Sequence, residues 1–478
     1  MKRCSGVLMS VPSLAGEYGA GTLNDACIFL EMLKEAGQSV WQMLPEVTVG
    51  ESFSPYRPFS AFAGNPLFIS PDYLYERGLI TRQEMIDARL PLSDRIDYKS
   101  VVPVRTALLK MAFERNKTMH KTEYPLNKRV EDYCVFSALR NYFKKPLVNW
   151  DEDIRKRHPR ALLKYSGILK EDIAFREFMQ MCFFDEWQGL KSCAKSFGIT
   201  VMGDLPVYVS DDSSDVWTCP QDFLVDDDFS PKVTAGVPPD CFSPNGQNWE
   251  NPVYDYSNMQ KDGFKWWKER IEHAFSLYGA VRIDHFRSFD EYYVIPKGES
   301  TQKGSWQKGP GRPLIDAILC SSKGLVIAED LGGETEGVKK LLEYSGFPGM
   351  RVAQFGFGSD ENNKNLPHMY PENCVAYTGT HDNDTVKGWF EKTGEGERGF
   401  LRTYLNISEE DCPVKALISS VMHSRAALAV IPVQDWQELD THARLNIPGT
   451  AEGNWLWRMT SPLPLKYMQI LTEMSGRS

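Results

Sequence analysis

Apolar positions recur along this chain in two alternating rhythms. In residues 24–37, NDACIFLEMLKEAG, they fall three and four apart and stop at Gly37, which predicts a helix with a glycine end. QSVWQMLP follows at once and reads as a short apolar strand. The same alternation returns further on. FREFMQMCFFDEWQGLKSCAKSFG predicts a long helix and ITVMGDLPVYV a strand. FKWWKERIEHAFSLYG precedes AVRIDHF, PLIDAILCSSKG precedes LVIAEDL, and TEGVKKLLEYSG precedes GMRVAQFGF. NCVAYTGTHDND supplies one more strand and loop. Strands that each follow a helix imply a parallel sheet with crossovers. One apolar strand after another, with no GxGxxG fingerprint, favours a closed (β/α)8 TIM barrel over a dinucleotide fold. Residues from about 72 to 175 differ. They are rich in Lys, Arg, Glu and Leu, with helical spacing in RTALLKMAFERNK and VEDYCVFSALRNYF, and predict a helical insertion. The expected organisation is one barrel domain over residues 1–478, that insertion, and a loop over about 234–260 shaped as a lid by Pro238, Pro239, Pro244 and a PNG turn.

The polar exceptions cluster where strands end. Asp204 ends VMGD, Asp284 ends VRID, Glu329 and Asp330 end VIAED, and His381 and Asp382 follow VAYTGT. A single acid at a strand end is more often a helix cap or half of a salt bridge. In a parallel barrel, however, all C-terminal strand ends meet on one face, where barrel enzymes place their chemistry. Arg282 and Asp284 are two apart and share one face of their strand. A guanidinium there is expected to keep Asp284 ionised, as suits a nucleophile. Glu329 has no cation beside it, so crowding is expected to raise its pKa, as suits a general acid. Two carboxyls with split protonation point to glycoside chemistry, with Asp382 as a third acid holding sugar hydroxyls. The rival is a divalent-metal site; Arg282 beside Asp284 counts against it, because a cation repels the metal. His285 is expected to face away from the cleft on an ideal strand and needs a turn to reach it.

Bulk properties narrow the partners. The net charge is −10, from 54 basic and 64 acidic residues, and no Lys/Arg run is suited to gripping phosphates, so nucleic acid is not expected. No apolar run approaches the ~20 residues that span a bilayer. The start, MKRCSGVLMSVPSLAG, has the charge of a signal peptide, but Ser5, Gly6, Ser10 and Pro12 break its apolar core. The 10 cysteines include no CxxC, and the 8 histidines no HExxH, so free thiols in the cytoplasm are expected, with no metal site and no cofactor. The 12 tryptophans leave stacking surfaces and large-core packing both open.

Several segments together resemble the 4-α-glucanotransferases, the amylomaltases or disproportionating enzymes, which are relatives of the α-amylase barrels. They are SVWQMLP, SPYRPFSAFAGNP, GDLPVYV, DSSDVW, AGVPPDCFSPNGQNWENPVY, RIDHF, IAEDLG, GFPGMRVAQFGF, YTGTHDNDT and IPGTAEGNWLWR. The resemblance covers nearly the whole chain. It implies transfer of a segment of an α-1,4-glucan to the 4-hydroxyl of another glucan or of glucose, by a retaining double displacement. Maltooligosaccharides are then the partners, with no cofactor and no obligate protein partner. A retaining hydrolase using the same acids is the alternative. A glycan-binding protein on an inert barrel is disfavoured by three intact acids. Carried over residue by residue, the resemblance makes Asp284 the nucleophile, Glu329 the acid/base and Asp382 the transition-state stabiliser. Arg282, His285 and His381 surround the reacting sugar, and Asp204, Tyr56, Ser54, Gln247, Trp249, Asp330, Phe355 and Asn446 match further sugar contacts. Tyr56 and Trp249 lie in Gly/Pro-rich segments, which suits rings that stack on sugar. The chain departs from the family at Cys241 (usually Tyr), Ser288 and Glu250 (usually Gly), Tyr293 (usually Trp) and Gly279 (usually Asp). None of these is a catalytic carboxylate; Cys241 removes a ring from the expected lid.

Overall fold

A computed structural model of the chain describes residues 2–50, 53–119, 124–239, 243–333, 335–358, 361–450 and 452–477. Twelve strands form two sheets. Eight run parallel: β1 (Cys4–Leu8), β2 (Val40–Gln42), β3 (Thr200–Leu205), β6 (Ala280–Ile283), β9 (Leu325–Ala328), β10 (Gly349–Val352), β11 (Cys374–Tyr377) and β12 (Leu428–Pro432). Their order, β10-β11-β12-β1-β2-β3-β6-β9, is that of a (β/α)8 barrel. The seam between β9 and β10 has no ladder of paired residues. Instead the Ala328 N–H donates to Pro348 O at 3.0 Å, and Asp330 Oδ1 accepts the Met350 N–H at 2.7 Å.

The barrel interior explains why the strands read as continuous apolar runs. Val40, Met202, Ala280, Ile327, Met350, Val375 and Leu428 form one buried cluster drawn from seven strands. Two residues further along, the same inward faces of β3 and β6 carry Asp204 and Arg282, and the first residue beyond β9 on that face is Glu329. Layers of side chains thus fill the lumen below and turn polar at the C-terminal mouth.

Two barrel strands escaped the sequence pattern. β1 is the stretch with signal-peptide charge; Ser5 and Gly6, which interrupt its apolar run, are buried inside the sheet. Gly6 lies so close to β2 that an added Cβ would sit 2.6 Å from Val40 O. β12 is buried throughout and carries no acid at its end, the feature that drew attention to the others.

The predicted insertion is helical, with helices at Pro71–Glu76, Arg82–Asp87, Tyr98–Met119, Lys128–Phe143 and Pro159–Ile168. Its last turn runs directly into the 28-residue helix Lys170–Phe197, which crosses over to β3. The segment read as a lid is more ordered than a loop. β4 (Val233–Val237) and β5 (Gln247–Pro252) make an antiparallel pair, joined through β4 to β7 (Glu291–Pro296) and then β8 (Ser305–Lys308). These four strands follow the C-terminal ends of β3 and β6, so the small sheet sits on the polar side of the barrel. Trp249 is therefore on a strand. Cys241 lies outside the described residues. Most of the tryptophan excess is core: Trp41, Trp187, Trp217, Trp266 and Trp267 are fully buried. Among the described residues, nine cysteines are unbridged and no helix is long and apolar enough to cross a membrane.

Candidate active site

Strand register brings the charged residues together. Asp204 on β3 is the direct partner of Arg282 on β6. Arg282 Nη1 contacts both Asp204 oxygens, at 2.6 and 2.7 Å, and Nη2 reaches Asp284 Oδ1 at 3.0 Å. One guanidinium thus joins two carboxylates. Ile283 pairs with Ala328, so Asp284 and Glu329 stand in the same rung one residue beyond the ladder. Backbone bonds continue that rung: the Asp284 N–H donates to Leu205 O at 2.9 Å, and the Glu329 N–H to Ile283 O at 3.0 Å.

The chain turns at His285, which takes φ 47°, a left-handed conformation costly for a residue with a Cβ. This is the turn that His285 needs. Its N–H donates to Glu329 Oε2 at 2.8 Å, and its ring meets the edge of Trp249 at 4.9 Å between centroids. Burial pushes the His285 ring down to about 4, so it is neutral. Glu329 Oε1 accepts the Leu331 N–H at 2.7 Å, so each of its oxygens is held by a backbone donor.

The protonation pattern differs from the sequence expectation in one respect. Arg282 does not hold Asp284 in the ordinary carboxylate range. Desolvation raises the Asp284 pKa, the Arg282 guanidinium opposes that rise, and Asp204, Glu329 and Asp382 add to it. Burial outweighs the guanidinium, which gives its closest contacts to Asp204. Burial also raises Glu329, against the Arg282 cation and its two backbone donors. We expect kcat/KM for maltotriose to fall at alkaline pH, nearing tenfold per pH unit, as the raised Glu329 carboxyl loses the proton it must give. A profile flat to pH 10 would contradict it.

Asp382 is the most open of the three acids, with its side chain 45% exposed against 26% for Asp284. Asn446 Nδ2 donates to its Oδ1 at 2.5 Å, and His381 Nε2 lies 3.4 Å from Oδ2. Arg444 Nη2 donates to the Asp382 carbonyl at 2.6 Å and Nε to the Asn446 carbonyl at 2.8 Å. The Tyr56 ring stacks on His381 at 5.2 Å and 13°, and its hydroxyl donates to Asp204 at 2.9 Å. Trp455 closes this aromatic group, 5.8 Å from Tyr56 and 6.0 Å from His381.

The remaining candidates divide. Ser54 Oγ accepts the Tyr56 N–H at 3.4 Å, and Gln247 Oε1 accepts the Trp249 indole N–H at 3.2 Å, so both brace ring-bearing neighbours. Phe355 is half-buried against the lumen cluster. Asp330 is placed otherwise than its neighbour Glu329: its oxygens are occupied by the Met350 N–H and by Arg351 at 3.2 Å, on the barrel seam. Sequence reasoning missed Arg444, Trp455 and Asp435. Asp435 Oδ2 accepts from Thr378 Oγ1 at 2.5 Å and Oδ1 from the Val386 N–H at 2.8 Å, tying both ends of the loop that carries His381 and Asp382. Arg444 is two residues from Asn446 and Trp455 lies in GNWLWR, so proximity to segments already singled out was the available signal. Glu250, at the position where the resemblance has Gly, takes φ 60°, and its carboxylate pairs with Arg57 at 2.7 Å. Among the described residues, no group of three or more His, Cys, Asp or Glu is arranged to hold a metal ion.

Comparison with known proteins gives consistent matches. The sequence profile of the family described as 4-alpha-glucanotransferase matches residues 9–464. The chain is 40% identical over 486 residues to a 4-alpha-glucanotransferase of Clostridium butyricum, covering 98% of this chain and 100% of that one. It is 41% identical over 479 residues to one from Thermus thermophilus, covering 96% and 95%. Among solved structures, amylomaltase from Streptococcus agalactiae in complex with acarbose superposes with a TM-score of 0.94 at 34% identity, covering 100% of both chains.

Proposed function

The chain belongs to the family of 4-alpha-glucanotransferases and is an enzyme of that activity, and on this premise we propose how its side chains divide the work. The donor is an α-1,4-glucan. Asp284 attacks the anomeric carbon while Glu329 gives its proton to the departing glycosidic oxygen. That leaves a glycosyl-enzyme ester on Asp284 and a free 4-hydroxyl on the leaving piece. An incoming glucan or glucose then offers its own 4-hydroxyl. Glu329 takes that proton, the oxygen attacks the same carbon, and the Asp284 carboxylate departs. Two inversions give net retention. Bound glucan sets the required microstate, with the proton on Glu329 and the charge on Asp284.

The observation that carries this reading is the same-rung placement of Asp284 and Glu329 on adjacent strands. Parallel strands lie about 4.8 Å apart, of the size of the about 5 to 5.5 Å between the carboxyls of retaining glycosidases. Asp382, buttressed by Asn446 and Arg444, suits a group that holds ring hydroxyls through bonds that tighten at the transition state. Arg282, His285 and His381 surround the reacting sugar, with Tyr56 and Trp249 as stacking walls and Asp204, Ser54, Gln247 and Phe355 behind them. Asp330 is the weakest member of the set, because its oxygens are engaged in the seam. The strands β4 and β5 act as a cover that keeps water from the ester. The unbridged cysteines suit the cytoplasm.

Incubation with maltotriose alone, followed by chromatography, tests the activity. A ladder of longer maltooligosaccharides with released glucose is expected. Glucose and maltose without a ladder would mean that water wins at the intermediate and that the chain acts as a hydrolase.

A further inference from the structure

Two buried polar atoms next to the proposed reacting centre have no hydrogen-bond partner among the described residues: His381 Nδ1 and Gln434 Oε1. Both residues line one small cavity of mixed polar and apolar lining, together with Thr380, Asn383, Arg444 and Leu445. His381 is 4% exposed and Gln434 7%. Buried polar atoms are almost always satisfied, and small polar cavities with several facing groups hold ordered water. Gln434 is set in place by its surroundings. Its Nε2 donates to Ala443 O at 3.4 Å, which turns Oε1 away from that carbonyl. The next residue, Asp435, is tied to Thr378 and Val386 at the two ends of the loop that carries His381 and Asp382.

We propose that Gln434 is a positioning residue that sets the tautomer of His381 through one buried water. Both orphan atoms act as acceptors in this arrangement. The water donates one O–H to Gln434 Oε1 and the other to His381 Nδ1. The imidazole proton then stays on Nε2, which lies 3.4 Å from Asp382 Oδ2, so the ring turns its positive edge to that carboxylate and offers a donor to sugar hydroxyls. The opposite tautomer sets the Nε2 lone pair against the Oδ2 lone pairs. Burial lowers the His381 pKa, which keeps the ring neutral and makes the choice of tautomer matter. The inference rests on the role proposed above for Asp382, and it adds a residue with no contact to the sugar.

The test uses the full chain. First, wild type is assayed on maltotriose; no product there would overturn the activity reading itself. With activity present, long-range nitrogen–proton NMR on histidine-labelled protein, assigned with His381→Asn, is expected to show His381 protonated on Nε2. Gln434→Met removes the acceptor at similar volume. Its kcat is expected to fall about tenfold with KM within about twofold, as for one lost hydrogen bond, and its His381 signal is expected to shift toward a tautomer mixture. Gln434→Glu keeps an acceptor and is expected to retain both the tautomer and kcat within about threefold. An Nδ1-protonated His381 in wild type overturns the proposal. So does a Gln434→Met enzyme with unchanged kcat and tautomer. If Gln434→Met does not fold, the wild-type spectrum and Gln434→Glu still decide.

Discussion

Glu329→Gln is expected to yield a folded protein whose turnover of maltotriose is lower by about 10²- to 10⁴-fold, the range supplied by a positioned general acid. The variant keeps the size of the side chain and removes only its capacity to give and take a proton. Folding should be nearly untouched. The amide oxygen still accepts from one of the two backbone donors, His285 or Leu331, while the amide nitrogen opposes the other. That mismatch costs about 1–3 kcal/mol, small for a chain with so large a core. A donor with a good leaving group, such as a glycosyl fluoride, needs no protonation of the departing atom. Its first step is expected to recover much of the lost rate, while transfer to an acceptor stays slow. Circular dichroism and melting curves separate folding from chemistry, and near-normal maltotriose turnover in the folded variant would remove Glu329 from the mechanism.

Arg282→Met is expected to be damaging in a different way. The guanidinium sits between Asp204, whose side chain is 0% exposed, and Asp284. Removing it leaves Asp204 buried without its cation and takes from Asp284 and Glu329 the cation that draws their pKa values down. Breaking a buried pair by deleting one partner costs about 3–5 kcal/mol. We expect a large fall in the melting temperature and loss of activity. Arg282→Lys should lie between, since an ammonium cannot fork between two carboxylates. A methionine variant as stable as wild type across pH would show that the triad is not under electrostatic tension.

Much of this was legible because strand ends in a barrel are a small set of places, and acids there interrupt otherwise apolar runs. Asp204, Asp284, Glu329 and Asp382 were found by that contrast alone. The contrast also explains what was missed. β1 is interrupted by Ser5 and Gly6 in the middle, and β12 ends in Pro432 with its acid, Asp435, three residues further on. With β12 unseen, Gln434, Asp435 and Arg444 had no strand end to belong to. The small antiparallel sheet was hidden by prolines and glycines that read as loop, though they border strands. The surroundings of Asp284 were only partly legible for a further reason. Adjacency in sequence showed Arg282, but only the register of β3 with β6 shows that Asp204 claims the guanidinium first. Asp330 was read as a further sugar contact beside Glu329, yet neighbouring residues leave a strand on opposite faces, and its oxygens face the seam.

That opposition has a mechanical side. Seven of the eight joints around the barrel are woven from paired backbone, whereas the joint between β9 and β10 hangs on one amide bond and the Asp330 carboxylate. A cylinder laced at a single point has a preferred place to spring open. Amide exchange at Met350 should therefore outpace exchange at the paired rungs of β3 and β6. Asp330 follows Glu329 directly, so the strand end proposed to deliver the proton also carries the carboxylate that bridges the seam.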